Sequence, residues 1–216
     1  MLFRSANTNN ADTAIKNETK EAGETEGNEN EENEKNETKS KVTPVSITET
    51  KGTIAVKTKT ADNLLAAFNG ETTASAKYAA YSKKAEQEGY HQVALLFKAA
   101  SASEKIHANN HKAVLEESGI KTLAINPEYT VKSTKENLDD AINGETYEVT
   151  TMYPEFLKEA NESGDQLAMI SLNYAYKTEK KHKILYETAL AALQNNTVKS
   201  LPSVFYVPVL DRKSVV

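Results

Sequence analysis

The rhythm of hydrophobic and polar positions changes near Thr60. Beyond it, Leu64, Leu65 and Phe68, then Ala74 and Tyr78, recur at the three-to-four-residue interval of one helix face. Thr60 is placed to cap that helix, with Asp62 in its first turn. Gly89 interrupts the run, and a second helix is expected from about Tyr90 to Ser118, with Val93, Leu96, Phe97 and Ala100 inward and Gly119 as its stop. The stretch IKTLAINPEYTVKST, containing Pro127, reads as a long connection. Ser133 followed three residues later by Glu136 forms a capping-box signal for a third helix, which Gly164 breaks. A fourth helix is expected to run to about Asn195.

Ahead of Thr60 the pattern is different. Residues 6–59 are rich in Asn, Glu, Thr and Lys, and a segment such as NETKEAGETEGNENEENEKNETKS holds too little apolar surface to offset its conformational entropy. Residues 1–59 are therefore expected to be a disordered acidic segment, with a weak strand-like alternation over 42–59. The end segments 1–5 and 211–216 match in-frame translations of sequencing adapters, so both ends are read as artefacts. The domain expected to fold is 60–198, followed by a tail over 199–216.

The body repeats itself. NLLAAFNGET in the first hairpin returns as NLDDAINGET in the second, and SEKIH returns as TEKKH. Glu71 precedes Glu104 by 33 positions and Glu145 precedes Glu179 by 34. The extra residue of the second copy falls between its Glu and its Gly break, where a helix commonly absorbs an insertion as a π-bulge. Two helical hairpins joined by a long crossover predict an all-α, four-helix bundle with ferritin-like connectivity.

Composition narrows the chemistry. With 216 residues, a net charge of −5 and no cysteine, the chain offers no basic stripe for nucleic acid, no disulfide framework and no iron–sulfur ligands. No apolar run approaches the ~18 residues of a membrane span, and no secretory signal is visible. What remains is a repeated constellation. Each hairpin supplies one Glu from its first helix and an E-x-x-H from its second: Glu71, Glu104 and His107, then Glu145, Glu179 and His182, with Glu148 three residues after Glu145. At i and i+3, each Glu and His of a pair share a helix face. One E-x-x-H in a Glu-rich chain is close to noise, but two behind a Gly-Glu at nearly equal spacing point to a paired metal site. Burying five carboxylates without a cation would be prohibitive. Gly70 and Gly144, each inside a helix at a cost of ~1 kcal/mol against Ala, are expected to permit close packing beside the metals. His111 is expected to be a partly exposed helix residue, and His91 to face solvent.

These motifs, read with NGETTASAKYAAYSKKAEQEGYHQVALLFKAASASEKIHA and NGETYEVTTMYPEFLKEANESG, resemble the rubrerythrins over about residues 60–207. The resemblance implies two iron ions per bundle, with manganese or zinc as substitutes. It implies bridging roles for Glu104 and Glu179 and terminal ligation by Glu71, Glu145 and His182. Glu148 and His107 would alternate at one metal as the redox state changes. Tyr78 and Tyr153 match tyrosines that hydrogen-bond the ligand carboxylates and are the candidate catalytic side chains. The implied activity is reduction of hydrogen peroxide to water with electrons from rubredoxin or a similar donor, in a homodimer. A cytoplasmic location is the family default, with an envelope tether as the alternative if a leader has been lost. The alternative function on the same ligands is a ferroxidase or iron-storage bundle. The chain departs from the family at SVFYVPVLDRKSVV, where a rubredoxin-like domain with two C-x-x-C pairs usually follows.

Overall fold

The computed structural model describes residues 51–207, and side chains from Lys57 onward. Within that span the chain forms α1 (Lys51–Gln87), α2 (His91–Glu117), α3 (Thr134–Tyr147), α4 (Tyr153–Ser163) and α5 (Gln166–Gln194), ending in a short 3-10 turn, Val198–Ser200. A π-turn, Glu148–Met152, joins α3 directly to α4, so the two form one continuous rod. The bundle thus has four rods, and no strand occurs among the described residues. No described helix is long and apolar enough to cross a membrane.

Local chemistry sets most boundaries. The Ser133 hydroxyl accepts from the Glu136 backbone N–H, while the Glu136 carboxylate accepts from Ser133 N at 3.2 Å, the reciprocal pair expected of a capping box. Glu88 reaches across to accept from Thr134 N at 2.9 Å, which ties the start of α3 to the turn between α1 and α2. Gly164 adopts the left-handed conformation (φ 68°) that ends α4, and Asp165 caps α5 by accepting from Ala168 N at 2.9 Å.

One boundary differs from expectation. The first helix begins at Lys51, ahead of Thr60, so residues 51–59 are helical and not part of a strand-like segment. Extending a helix already nucleated costs little, and Lys59 gains an ion pair with Glu159 of α4 at 2.6 Å. Thr60 is buried inside α1, its hydroxyl 3.1 Å from Ser163 Oγ, and does not cap a helix. The expectations for residues 1–50 and 208–216, including both adapter-like ends, lie outside the described residues.

The crossover between α2 and α3 runs along α1 from about Leu65 to Tyr81. Ile120 lies near Leu65, Ile125 near Phe68 and Thr72, and the Thr130 carbonyl accepts from the Tyr81 hydroxyl at 3.2 Å. The core is split in two. One cluster joins Tyr78, Tyr81, Phe97, Leu138 and Tyr186; the other joins Leu64, Phe68, Leu115, Tyr153 and Leu172. Each fully buried side chain of this size contributes about 1.5–3 kcal/mol. Along every rod the two clusters are separated by one stretch of buried polar residues, so the bundle carries a charged layer between two apolar ones.

Candidate metal centre

Six side chains from four helices meet in that middle layer. Glu71 comes from α1, Glu104 and His107 from α2, Glu145 from α3, and Glu179 and His182 from α5. His107 Nδ1 lies 2.9 Å from Glu104 Oε2, 2.8 Å from Glu179 Oε1 and 3.7 Å from Glu71 Oε1. His182 Nδ1 lies 3.0 Å from Glu104 Oε1, 2.7 Å from Glu179 Oε2 and 3.9 Å from Glu145 Oε1. Glu104 and Glu179 therefore each turn one oxygen toward either histidine. Two overlapping sets result, Glu71–Glu104–His107–Glu179 and Glu104–Glu145–Glu179–His182, each with one ligand atom per residue and all of these within 4.8 Å of one another.

The short approaches are not hydrogen bonds. Glu71 Oε2, Glu145 Oε2, both carboxylate oxygens of Glu104 and Glu179, and Nδ1 of both histidines are buried without a hydrogen-bond partner among the described residues. Their lone pairs converge on common points and not on one another's protons. Leaving so many buried acceptors unmet costs several kcal/mol, and a pair of cations removes that cost. Carboxylates with one imidazole per site suit iron, manganese or zinc. The donor set fits a metal pair.

The electrostatics agree. Burial, together with the charges of Glu104 and Glu179, pushes the Glu71 carboxyl up to about 8. Burial and the charges of Glu179 and Glu148 raise Glu145 well above the usual carboxylate range. Glu104 moves down, because the facing His182 and His107 outweigh its burial. Burial opposes protonation of His107 and His182, but the surrounding carboxylates, Glu179 foremost for His107 and Glu104 for His182, raise both well above the ordinary value. Without a cation the cluster holds protons in its place.

The remaining expected residues fall into place unevenly. Tyr78 donates to Glu145 Oε1 at 2.8 Å, and Tyr153 donates to Glu71 Oε1, so each tyrosine crosses from one hairpin to the other's carboxylate. Glu148 opens the π-turn and belongs to neither set of four. The residue is partly exposed, but its carboxyl faces the charged layer, where burial and the charges of Glu71 and Glu179 raise it well above the ordinary range. His91 is exposed and pairs with Glu86 at 2.8 Å, as expected.

Two expectations are corrected. Gly70 and Gly144 do not mark close packing: a methyl group at either would meet nothing within 4 Å. Each precedes a ligand by one residue and so points ~100° away from the core. His111 is not partly exposed but completely buried. Its Nδ1 lies 2.8 Å from Ser171 Oγ and its Nε2 3.3 Å from the Tyr153 hydroxyl. Burial, with the neighbouring His107, lowers His111 to about 3, so its ring is neutral. The i+4 spacing from His107 was the signal that could have placed it on the same face.

Comparison with known proteins adds the family. The rubrerythrin family model matches residues 62–190. Rubrerythrin-2 of Clostridium acetobutylicum is 34% identical over 154 residues, 69% of this chain and 82% of that protein. The structure of a nigerythrin in a partially reduced state is 36% identical and superposes with a TM-score of 0.58, over 62% of this chain and 67% of that one. The Desulfovibrio desulfuricans bacterioferritin, at 19% identity, shares the fold with a TM-score of 0.63, over 74% of this chain and 96% of that one.

Proposed function

The chain belongs to the rubrerythrin family, and from that premise we propose that it is a di-iron peroxidase that reduces hydrogen peroxide to water with electrons from an external donor such as rubredoxin. Membership implies the coarser reading, a di-iron oxidoreductase of oxidative-stress defence. The observation that supports the two-metal centre is the pair of carboxylates, Glu104 and Glu179, each offering one oxygen to either histidine within 3.0 Å, and the kinship with rubrerythrins favours peroxide as its reactant.

In this reading Glu104 and Glu179, which belong to both ligand sets, would be shared by the two ions, Glu71 with His107 would complete one site, and Glu145 with His182 would complete the other. When bound, the iron pair supplies Lewis acidity and the two electrons that peroxide reduction needs. The chain's own residues do the rest. Tyr78 and Tyr153 hold Glu145 and Glu71 in orientation through their hydroxyls, which keeps the two sites at a fixed separation. Both phenols are raised well above their usual range, first by burial and then by the facing carboxylate, so they stay protonated and remain donors. Phe97 in one apolar cluster, and Leu64 and Leu115 in the other, are buried on either side of the charged layer. His182, at 7% exposure, is the least buried ligand of the six. It lines a cavity of about 100 Å³ between α2, α5 and Phe205–Val207, which suits a reactant little larger than water. Glu148, which opens the π-turn and turns its carboxyl to the charged layer, would be the alternative to His107 at the first site.

The test is iron loading without air, followed by peroxide. About two irons per chain and peroxide loss that continues only while rubredoxin and its reductase are supplied are expected. Uptake of many irons per chain without donor-dependent peroxide loss would replace this reading with iron storage.

A further inference from the structure

The two halves of the centre are built from a repeat, yet their surroundings differ, among other places, one turn beyond each histidine. His111 follows His107 by four residues, and Tyr186 follows His182 by four. Tyr186 is fully buried and its hydroxyl has no hydrogen-bond partner among the described residues. His111 is equally buried but bonded at both ring nitrogens, to Ser171 of α5 and to Tyr153 of α4. Tyr153 in turn donates to Glu71 of α1. A single file of hydrogen bonds, Ser171–His111–Tyr153–Glu71, thus takes one side chain from each rod and ends on a ligand of one half only.

We propose that His111 is a positioning residue that donates from Nε2 to the Tyr153 oxygen, and through it fixes Glu71 in the His107 half of the centre. The inference rests on the di-metal reading above and extends it to a difference between the two sites.

Counting protons sets the direction of the file. A metal-bound Glu71 is a carboxylate and can only accept, so the single phenolic proton of Tyr153 points to Glu71 Oε1. The phenol oxygen is then left to accept, and the nearest donor is His111 Nε2 at 3.3 Å. A neutral ring with its proton on Nε2 has a bare Nδ1, which accepts from the Ser171 hydroxyl at 2.8 Å. Every bond in the file runs the same way, toward the carboxylate. Such aligned chains strengthen one another, so a donor on the phenol oxygen makes Tyr153 a stronger donor to Glu71. On the other half, Tyr78 donates to Glu145, and no comparable file stands behind it among the described residues.

Zinc is the probe, because it is diamagnetic and needs no redox control. In wild-type protein loaded with two zinc ions, nitrogen-15 NMR of the histidine rings is expected to show His111 protonated at Nε2 and bare at Nδ1. In calorimetric titrations, His111→Leu is expected to weaken zinc binding at one of the two sites by roughly 10–100-fold, the usual effect of losing a partner that orients a ligand. The other site keeps its affinity. His111→Gln, whose amide can still donate to Tyr153, is expected to recover most of the loss. Ser171→Ala leaves the core intact and is expected to give a mixture of the two ring tautomers. Circular dichroism of each variant separates lost binding from lost folding. An Nδ1-protonated ring in the wild type, or His111→Leu binding both ions as tightly as the wild type, overturns the inference alone. Wild-type protein that binds no pair of ions overturns it together with the di-metal reading.

Discussion

Glu104 and Glu179 each contribute to both ligand sets, whereas Glu71, Glu145 and either histidine contribute to one. Glu104→Ala or Glu179→Ala therefore removes a donor from both sites at once. Each variant is expected to bind fewer than one iron per chain in an anaerobic titration, while Glu148→Ala, outside both sets, is expected to keep two. Equal loss in all three would contradict the proposed division of roles. His111 gives a prediction of a different kind. Its folded value of about 3 lies below the ordinary 6.5, so the unfolded chain takes a proton that the folded chain refuses. Its contribution to stability is present above pH 6.5 and is lost as pH falls toward 3, by up to ~1.4 kcal/mol per pH unit. The groups facing it are Tyr153, Ser171 and His107. Metal-free His111→Gln is expected to lose less stability than the metal-free wild type between pH 6.5 and 4.5, measured by urea unfolding at each pH. Identical slopes would mean that the ring is solvated. The clustering of the Glu and His side chains was legible because E-x-x-H repeats at a spacing that a helix converts into a shared face. His111 was not, because the partners that bury it stand 60 and 42 positions away in the sequence.

The elements followed local signals where the signals were local. The capping box at Ser133, the left-handed Gly164 and the extra residue in the second hairpin all act within a few positions, and each appears where the sequence placed it. The start of α1 did not, since what holds Lys59 and Thr60 is Glu159 and Ser163 on the opposite hairpin. The π-turn has a clear mechanical role. Tyr78 follows Glu71 by seven residues, close to two whole α-turns, but Tyr153 follows Glu145 by eight. In an unbroken α-helix that eighth residue would be turned ~100° off the seventh. The wider turn at Glu148–Met152 takes up the difference and returns Tyr153 to the ligand face, where it reaches Glu71. Deleting Thr150, an exposed residue of that turn, restores the spacing of the first hairpin. It is expected to preserve the fold and the metal pair. Inserting one alanine after Thr150 leaves two residues to absorb, which a single wide turn cannot do. That variant is expected to lose the Tyr153–Glu71 bond, lower the melting temperature and weaken one metal site. Equal behaviour of the two variants in metal titration and thermal melting would show that the turn does not set the register.

At the scale of the whole molecule, the division of the core into two apolar clusters around one charged layer decides how the centre can be reached. Five of the six clustered side chains are at most 1% exposed, and His182, at 7%, is the least buried of them. Such burial keeps a large reductase from bringing its cofactor against the site, and the 216 residues here include no cysteine that could hold an iron–sulfur relay beside it. A reduced iron pair stores two electrons, enough for one peroxide. Protein reduced beforehand and mixed rapidly with peroxide is therefore expected to consume about one equivalent per centre in a fast burst and then stop. A reductase alone is expected to restart it slowly, because electrons must arrive without a small carrier. Added rubredoxin, small enough to approach the α2–α5 side where His182 lies, is expected to convert the burst into sustained turnover. If the reductase alone sustains rapid turnover, then the apolar layers are not the barrier they look to be, and electrons enter through a surface other than the His182 side.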